Sequence, residues 1–185
     1  MHSRFFRRSG AALSLLALFG GLTGAALAAT AGSASAQQNS DIIPISSGLR
    51  LDVSGAATSA GAPVIQWPAN GQANQKWEVP PIGAAPNLIQ NANSGMCLTT
   101  DGVAGDQLYQ EPCVYSPYED WVVQDNSQGD AVNGDQAVSI YNPAFNLVVD
   151  VYGDSYSAGA AIDAWPANGQ FNQAFWGPDC QSWCS

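Results

Sequence analysis

Four side chains that suit the recognition of polyhydroxylated ligands recur at one spacing. Asp52, Trp67, Asn74 and Gln75 return 98 residues later as Asp150, Trp165, Asn172 and Gln173. A carboxylate presents two strong acceptor oxygens and can hold two hydroxyls at once, while Asn and Gln amides both donate and accept. An indole ring offers a flat apolar face on which the C–H bonds of a sugar can lie. A shallow recess of Asp, Trp and amides therefore suits a neutral hexose. Asp163, two residues before Trp165, adds a second carboxyl in the later copy, where the earlier copy has Ile65.

The recurrence extends beyond these residues. Aligned without a gap, Asp52–Trp77 and Asp150–Phe175 share 15 of 26 positions, including Trp-Pro-Ala-Asn-Gly-Gln and Asn-Gln. This is an internal repeat, and its offset is about twice a plausible unit. A worn third copy lies between the two. Asn91–Gly102 parallels Pro44–Gly55, and Leu108–Trp121 parallels Val64–Trp77. Three units, approximately 41–86, 87–136 and 137–178, thus precede a short tail, 179–185. Each unit carries four short segments rich in β-branched and aromatic residues, punctuated by Gly, Pro, Asn and Ser. Their second strands are Leu49–Val53, Met96–Thr99 and Leu147–Val151, and their third strands end at Trp67, Gln110 and Trp165. Three four-stranded units without helical periodicity predict an all-β barrel with threefold pseudo-symmetry.

The composition narrows the chemistry. Residues 1–36 read as a signal peptide: Arg4, Arg7 and Arg8, then an apolar run from Ala11, then Ala34-Ser35-Ala36 as the cleavage site. Ala26-Leu27-Ala28 is a rival site, and an uncleaved anchor is the alternative reading. Residues 37–185 would then form a single exported domain. That domain keeps Arg50, Lys76, no His and all fifteen acids, for a formal charge of −13. Such a surface repels nucleic acid and anionic membranes, leaving neutral and cationic ligands open. Without an imidazole, Ser-His-Asp and Cys-His catalysis and His-ligated metal sites are excluded, and carboxylate chemistry is not. Cys97, Cys113, Cys180 and Cys184 allow three disulfide pairings; proximity favours Cys97–Cys113 and Cys180–Cys184 over a four-thiolate zinc site. Asp125, Asp130 and Asp135 lie in a polar loop that lacks the EF-hand spacing.

Gly-x-x-Leu-Asp-Val, then Trp-x-x-Asn-Gly, then Asn-Gln-x-Trp resembles the ricin-B-type (R-type) lectin domain, carbohydrate-binding module family 13, over residues 41–178. The resemblance implies a β-trefoil and one Gln-x-Trp core signature per unit, placing Trp77, Trp121 and Phe175 inside the barrel. It implies sugar contacts from Asp52, Trp67, Asn74 and Gln75 in the first unit, and from Asp150, Asp163, Trp165, Asn172 and Gln173 in the third. It also places Cys97 and Cys113 at the family's disulfide positions. The second unit has Thr99, Glu111, Tyr118 and Glu119 at the four sugar positions and is expected to bind nothing. The implied function is a secreted, non-catalytic lectin with no cofactor or metal, recognising a galactoside or a xylan-type glycan. A protein-binding trefoil of the protease-inhibitor kind and a carboxylate glycoside hydrolase are the competing readings.

Overall fold

The computed structural model describes residues 39–126 and 137–176. The leader 1–36, the expected Cys180–Cys184 bridge, and Asp130 and Asp135 of the acidic loop lie outside the described residues.

Among the described residues thirteen strands occur, one more than the twelve expected, because the first strand of the first unit is split in two at Ile42. The first unit holds β1 (Asn39–Asp41), β2 (Ile43–Pro44), β3 (Arg50–Val53), β4 (Ala62–Trp67) and β5 (Lys76–Glu78). The second holds β6 (Gln90–Asn91), β7 (Cys97–Thr99), β8 (Tyr109–Glu111) and β9 (Val122–Asp125). The third holds β10 (Ala137–Asn142), β11 (Leu147–Val151), β12 (Ile162–Trp165) and β13 (Phe175–Trp176). All pairings are antiparallel, and the isolated bridges Ile65↔Ala161 and Gln107↔Asp163 join neighbouring units. Among the described residues there is no α-helix, only single 3-10 turns.

The core repeats with the sequence. Ile42, Ile89 and Ile140 form one buried set, Leu51, Leu98 and Val149 a second, and Val64, Leu108 and Ile162 a third. Trp77, Trp121 and Phe175 fill the centre, each with no exposed surface, as the Gln-x-Trp signature implies. Each indole N–H is satisfied in place: Trp77 Nε1 donates to Leu51 O at 3.1 Å and Trp121 Nε1 to Leu98 O at 2.9 Å. Hence the rings act as a large apolar filling that leaves no donor orphaned.

Buried amides lock the units together. Gln66 Nε2 donates to Ser155 O and Ser157 O of the third unit. Gln110 Nε2 donates likewise to Ala57 O and Ser59 O of the first. The second unit is stapled by Cys97–Cys113, at a sequence separation of 16, as expected. Closing a loop of that size stabilises by about 3 kcal/mol in the chain-entropy account. Arg50 and Lys76 both bind the Asp41 carboxylate, at 3.1 and 2.9 Å. The two basic side chains of the described residues are therefore spent on one acid.

Candidate functional site

The duplicated phrase builds two open recesses on the surface, one per outer unit. The first, of about 390 Å³, is lined by Asp52, Ser54, Gly55, Ala56, Ile65, Trp67, Asn70, Gln72 and Asn74. The second, of about 410 Å³, is lined by the aligned positions, now Asp150, Tyr152, Gly153, Asp154, Asp163, Trp165, Asn168, Gln170 and Asn172.

The positions of these side chains follow from strand geometry. Asp52 on β3 stands opposite Ile65 on β4, and Asp150 on β11 opposite Asp163 on β12. Successive side chains on a strand alternate in direction, so Leu51 and Val53 enter the core while Asp52 faces the recess. Trp67 and Trp165 end their strands and keep 43% and 44% of their surface exposed. The Pro-Ala-Asn-Gly turn then carries the chain away, with Gly71 and Gly169 at φ of +72° and +74°, a conformation that costs glycine little.

Gln75 and Gln173 differ from the expectation. They are buried one layer behind the recess and do not line it. Gln75 Nε2 donates to Asp52 Oδ2 at 2.8 Å and to Pro68 O at 3.0 Å, and its Oε1 accepts from Asn70 N. Gln173 repeats the set, with Asp150 Oδ2 at 2.7 Å, Pro166 O at 3.1 Å and Asn168 N at 2.8 Å. With both ends of the amide committed, each Gln aims the carboxylate and pins the turn instead of meeting a ligand.

Asn74 and Asn172 do line the recesses. Asn172 Nδ2 donates to Asp150 Oδ1 and Oδ2, at 3.1 and 3.0 Å, and to Val151 O. Asn74 Nδ2 donates to Val53 O at 3.2 Å. Because these partners accept only, the amide nitrogen must face them and the oxygen is turned away from them. Asn74 Oδ1 and Asn172 Oδ1 are both buried without a hydrogen-bond partner.

The recesses are also lined by residues that the sequence pattern did not single out, Ser54, Ala56, Tyr152 and Asp154 among them. Asn70, Gln72, Asn168 and Gln170 form the lip, where Gln72 N donates to Asn70 Oδ1 and Gln170 N to Asn168 Oδ1, both at 2.8 Å. The signal that could have found the lip residues is their place inside the duplicated Trp-Pro-Ala-Asn-Gly-Gln.

Each aromatic platform is also propped from the next unit. Gly159 N donates to Gln66 O and Gly105 N to Ala164 O, both at 2.8 Å, so a glycine lies beside each indole. A methyl group at Gly105 would stand 3.0 Å from Cζ3 of Trp165, whereas one at Gly159 would stand 3.6 Å from Cζ3 of Trp67. Both glycines lie at positive φ, +92° and +85°, so alanine strains the backbone at either; Gly105→Ala is expected in addition to displace the Trp165 ring, whereas Gly159→Ala meets Trp67 only in van der Waals contact. The indole N–H resonances of the two variants check this: an unmoved Trp165 signal in Gly105→Ala would refute it.

Burial raises the pKa of all three site carboxyls. For Asp52 it is opposed by the amides of Gln75 and Asn74, and for Asp150 by Gln173, Asp163 and Asn172. Asp163 rises from 3.8 to about 7, through burial first, then the Asp150 charge and the hydrogen bond between the two carboxyls. The pair behaves as two acids sharing a proton. Paired glycosidase carboxyls stand roughly 5–10 Å apart, with substrate or water between them. Carboxyls hydrogen-bonded to each other leave no such gap.

The family profile "ricin-type β-trefoil lectin domain-like" matches residues 32–102 and 86–165. The chain belongs to this lectin family. Its fold is the β-trefoil. A designed threefold-symmetric protein, ThreeFoil, matches it at 26% identity and TM-score 0.65, over 74% of this chain and 95% of that one. The C-half of an earthworm R-type lectin, in complex with GalNAc, matches at 23% identity and TM-score 0.56, over 74% and 94%. A ricin B-like lectin of Macrolepiota procera, in complex with lactose, matches at 22% and 0.60, over 78% and 97%. No curated protein matches the chain.

Within the lectin fold the second unit keeps the frame and changes the chemistry. Thr99 replaces the strand carboxylate, and its hydroxyl donates to Cys97 O. Glu119 takes the framing role of Gln75, accepting from Val114 N and Tyr115 N at 2.9 and 3.2 Å. Tyr118 packs on Phe145, with centroids 4.9 Å apart.

Proposed function

We propose that the chain is a secreted, non-catalytic lectin that binds a neutral sugar at two sites, one in the first unit and one in the third. The site residues are Asp52, Trp67 and Asn74 in the first, and Asp150, Asp163, Trp165 and Asn172 in the third, with Gln75 and Gln173 holding the carboxylates from behind. The observation that carries this reading is the Asn74 and Asn172 pair. Each presents a buried acceptor with no partner, beside a carboxylate and a half-exposed indole. A buried polar atom left unpaired is unfavourable, and a sugar hydroxyl donating into the recess removes that cost. The indole supplies the apolar face.

The galactoside class fits the earthworm and Macrolepiota lectins, whose complexes hold GalNAc and lactose. A xylan-type glycan is the alternative ligand. Residues 1–36 direct export and are cleaved near Ala36. The second unit is silent and serves as scaffold. Two weak sites on one rigid body gain avidity on a polysaccharide or a glycan-dense surface.

The test is a glycan array of the chain beside the Trp67→Ala/Trp165→Ala double variant. Both rings are half-exposed, so the variant keeps its fold. Binding by the double variant is expected to be at least about tenfold weaker than by the wild type, as for the loss of one good aromatic contact. Silence of the wild type across galactosides, mannosides and xylo-oligosaccharides would move the reading to a protein-binding trefoil.

A further inference from the structure

The two recesses share a plan and differ at three positions. Ile65, Ala56 and Ser54 of the first become Asp163, Asp154 and Tyr152 in the third. The first recess therefore holds one carboxyl, Asp52. The third holds three, Asp150, Asp154 and Asp163, and no cationic side chain lines it. Arg50 and Lys76 are both engaged by Asp41. Asn172 Oδ1 of the third recess is buried without a partner, and Asp163 Oδ1 is buried with none outside the carboxyl pair.

An unmatched group of acceptors in one recess calls for a ligand that donates several times from one atom. A hydroxyl has one proton to give. An ammonium has three and accepts nothing. We propose that the third-unit recess, within the sugar binding assigned to both, prefers a hexosamine with a free amine over its neutral parent, while the first-unit recess does not distinguish the two. This rests on the lectin reading above and adds the ligand class of one site to it. The ammonium is held by Asp150, Asp163 and Asn172 Oδ1. Asp154 supplies a further charge at the rim, and the Trp165 and Tyr152 rings accept the cation on their faces. In the first recess the same ammonium meets one carboxylate and the side chain of Ile65, so the amine adds little. Acetylation of the amine removes its charge and two of its donors, and the distinction between the recesses with them.

Two single-recess chains separate the sites: Trp67→Ala leaves the third recess, and Trp165→Ala leaves the first. Each is titrated calorimetrically at pH 7 with glucosamine and galactosamine, each beside its N-acetyl form and its unsubstituted parent sugar. The third recess is expected to favour the free amine about tenfold, the usual gain from a charge-assisted hydrogen bond. That preference shrinks with added salt. Asp163→Ile in the Trp67→Ala chain abolishes it, and Ile65→Asp in the Trp165→Ala chain creates it. Neutral sugars binding both recesses equally well, with no gain from the amine, overturn the inference and leave the lectin reading standing. Calcium chloride displacing the amine from the third recess overturns it in favour of a metal site. Failure of every sugar at both recesses overturns the lectin reading and the inference together.

Discussion

Trp121→Ala is expected to lower the stability of the fold by about 4 kcal/mol, the range for deleting a fully buried aromatic side chain. The ring sits at the centre of the barrel with no exposed surface, among Leu98, Leu108 and Val123 of its own unit's core. Its removal leaves a cavity that the closed, three-part core cannot collapse into, and orphans Leu98 O, which now accepts from Trp121 Nε1. Trp121→Phe is expected to cost much less. The third unit already places Phe175 at the equivalent position, fully buried and without an N–H. By contrast, Trp165→Ala changes stability by less than about 1 kcal/mol, because almost half of that ring faces solvent. Urea denaturation of the three variants checks the ranking. A Trp121→Ala chain as stable as Trp165→Ala would mean that the Gln-x-Trp ring is not the core element assigned to it.

That contrast marks how far the sequence alone can be read. The order of the strands and the central aromatics come from a threefold pattern of apolar residues repeated in one chain, but the break at Ile42 that divides the first strand into β1 and β2 does not. The role of each Trp is legible from its neighbours in the chain. Trp77 stands in the last strand of its unit and Trp121 immediately before β9, while Trp67 and Trp165 run into Pro-Ala-Asn-Gly. Depth behind the surface is not legible. Asn74 and Gln75 are neighbours of the same chemical kind, yet one lines the recess with its amide oxygen unpartnered and the other is consumed by Asp52, Pro68 and Asn70. The single 3-10 turn at Ala73–Gln75 decides which is which. Contacts between units are equally hidden. Nothing in the spacing of Gly105 and Trp165, 60 residues apart, announces that one supports the other. The facing of Asp150 and Asp163 is an intermediate case: both sit on strands that the repeat predicts to be adjacent, so a shared recess is implied by register alone.

The Asp150–Asp163 pair should make the domain less stable as pH rises. Asp163 titrates at about 7 in the fold against 3.8 in the unfolded chain, so between these values the folded state holds a proton that the unfolded state has lost. Stability is then full below pH 3.8, falls as pH rises, and levels off above about 7. Each pH unit within that window weakens the fold by at most about 1.4 kcal/mol. Asp52 and Asp150 are raised as well, through burial, and push in the same direction. The chain contains its own control, since Ile65 faces Asp52 where Asp163 faces Asp150. In Asp163→Ile the remaining Asp150 keeps Gln173 and Asn172, as Asp52 keeps Gln75 and Asn74. The variant is expected to match the wild type near pH 4, to exceed it by a few kcal/mol at about pH 8, and to lose most of the slope between. Thermal denaturation across about pH 4–8 measures this, and an unchanged slope in Asp163→Ile would place the titration elsewhere. Two buried carboxyls that destabilise the fold at neutral pH persist only where something offsets them. A bound ammonium does so by drawing the shared proton off the pair, and that release is measurable as a buffer-dependent heat of binding.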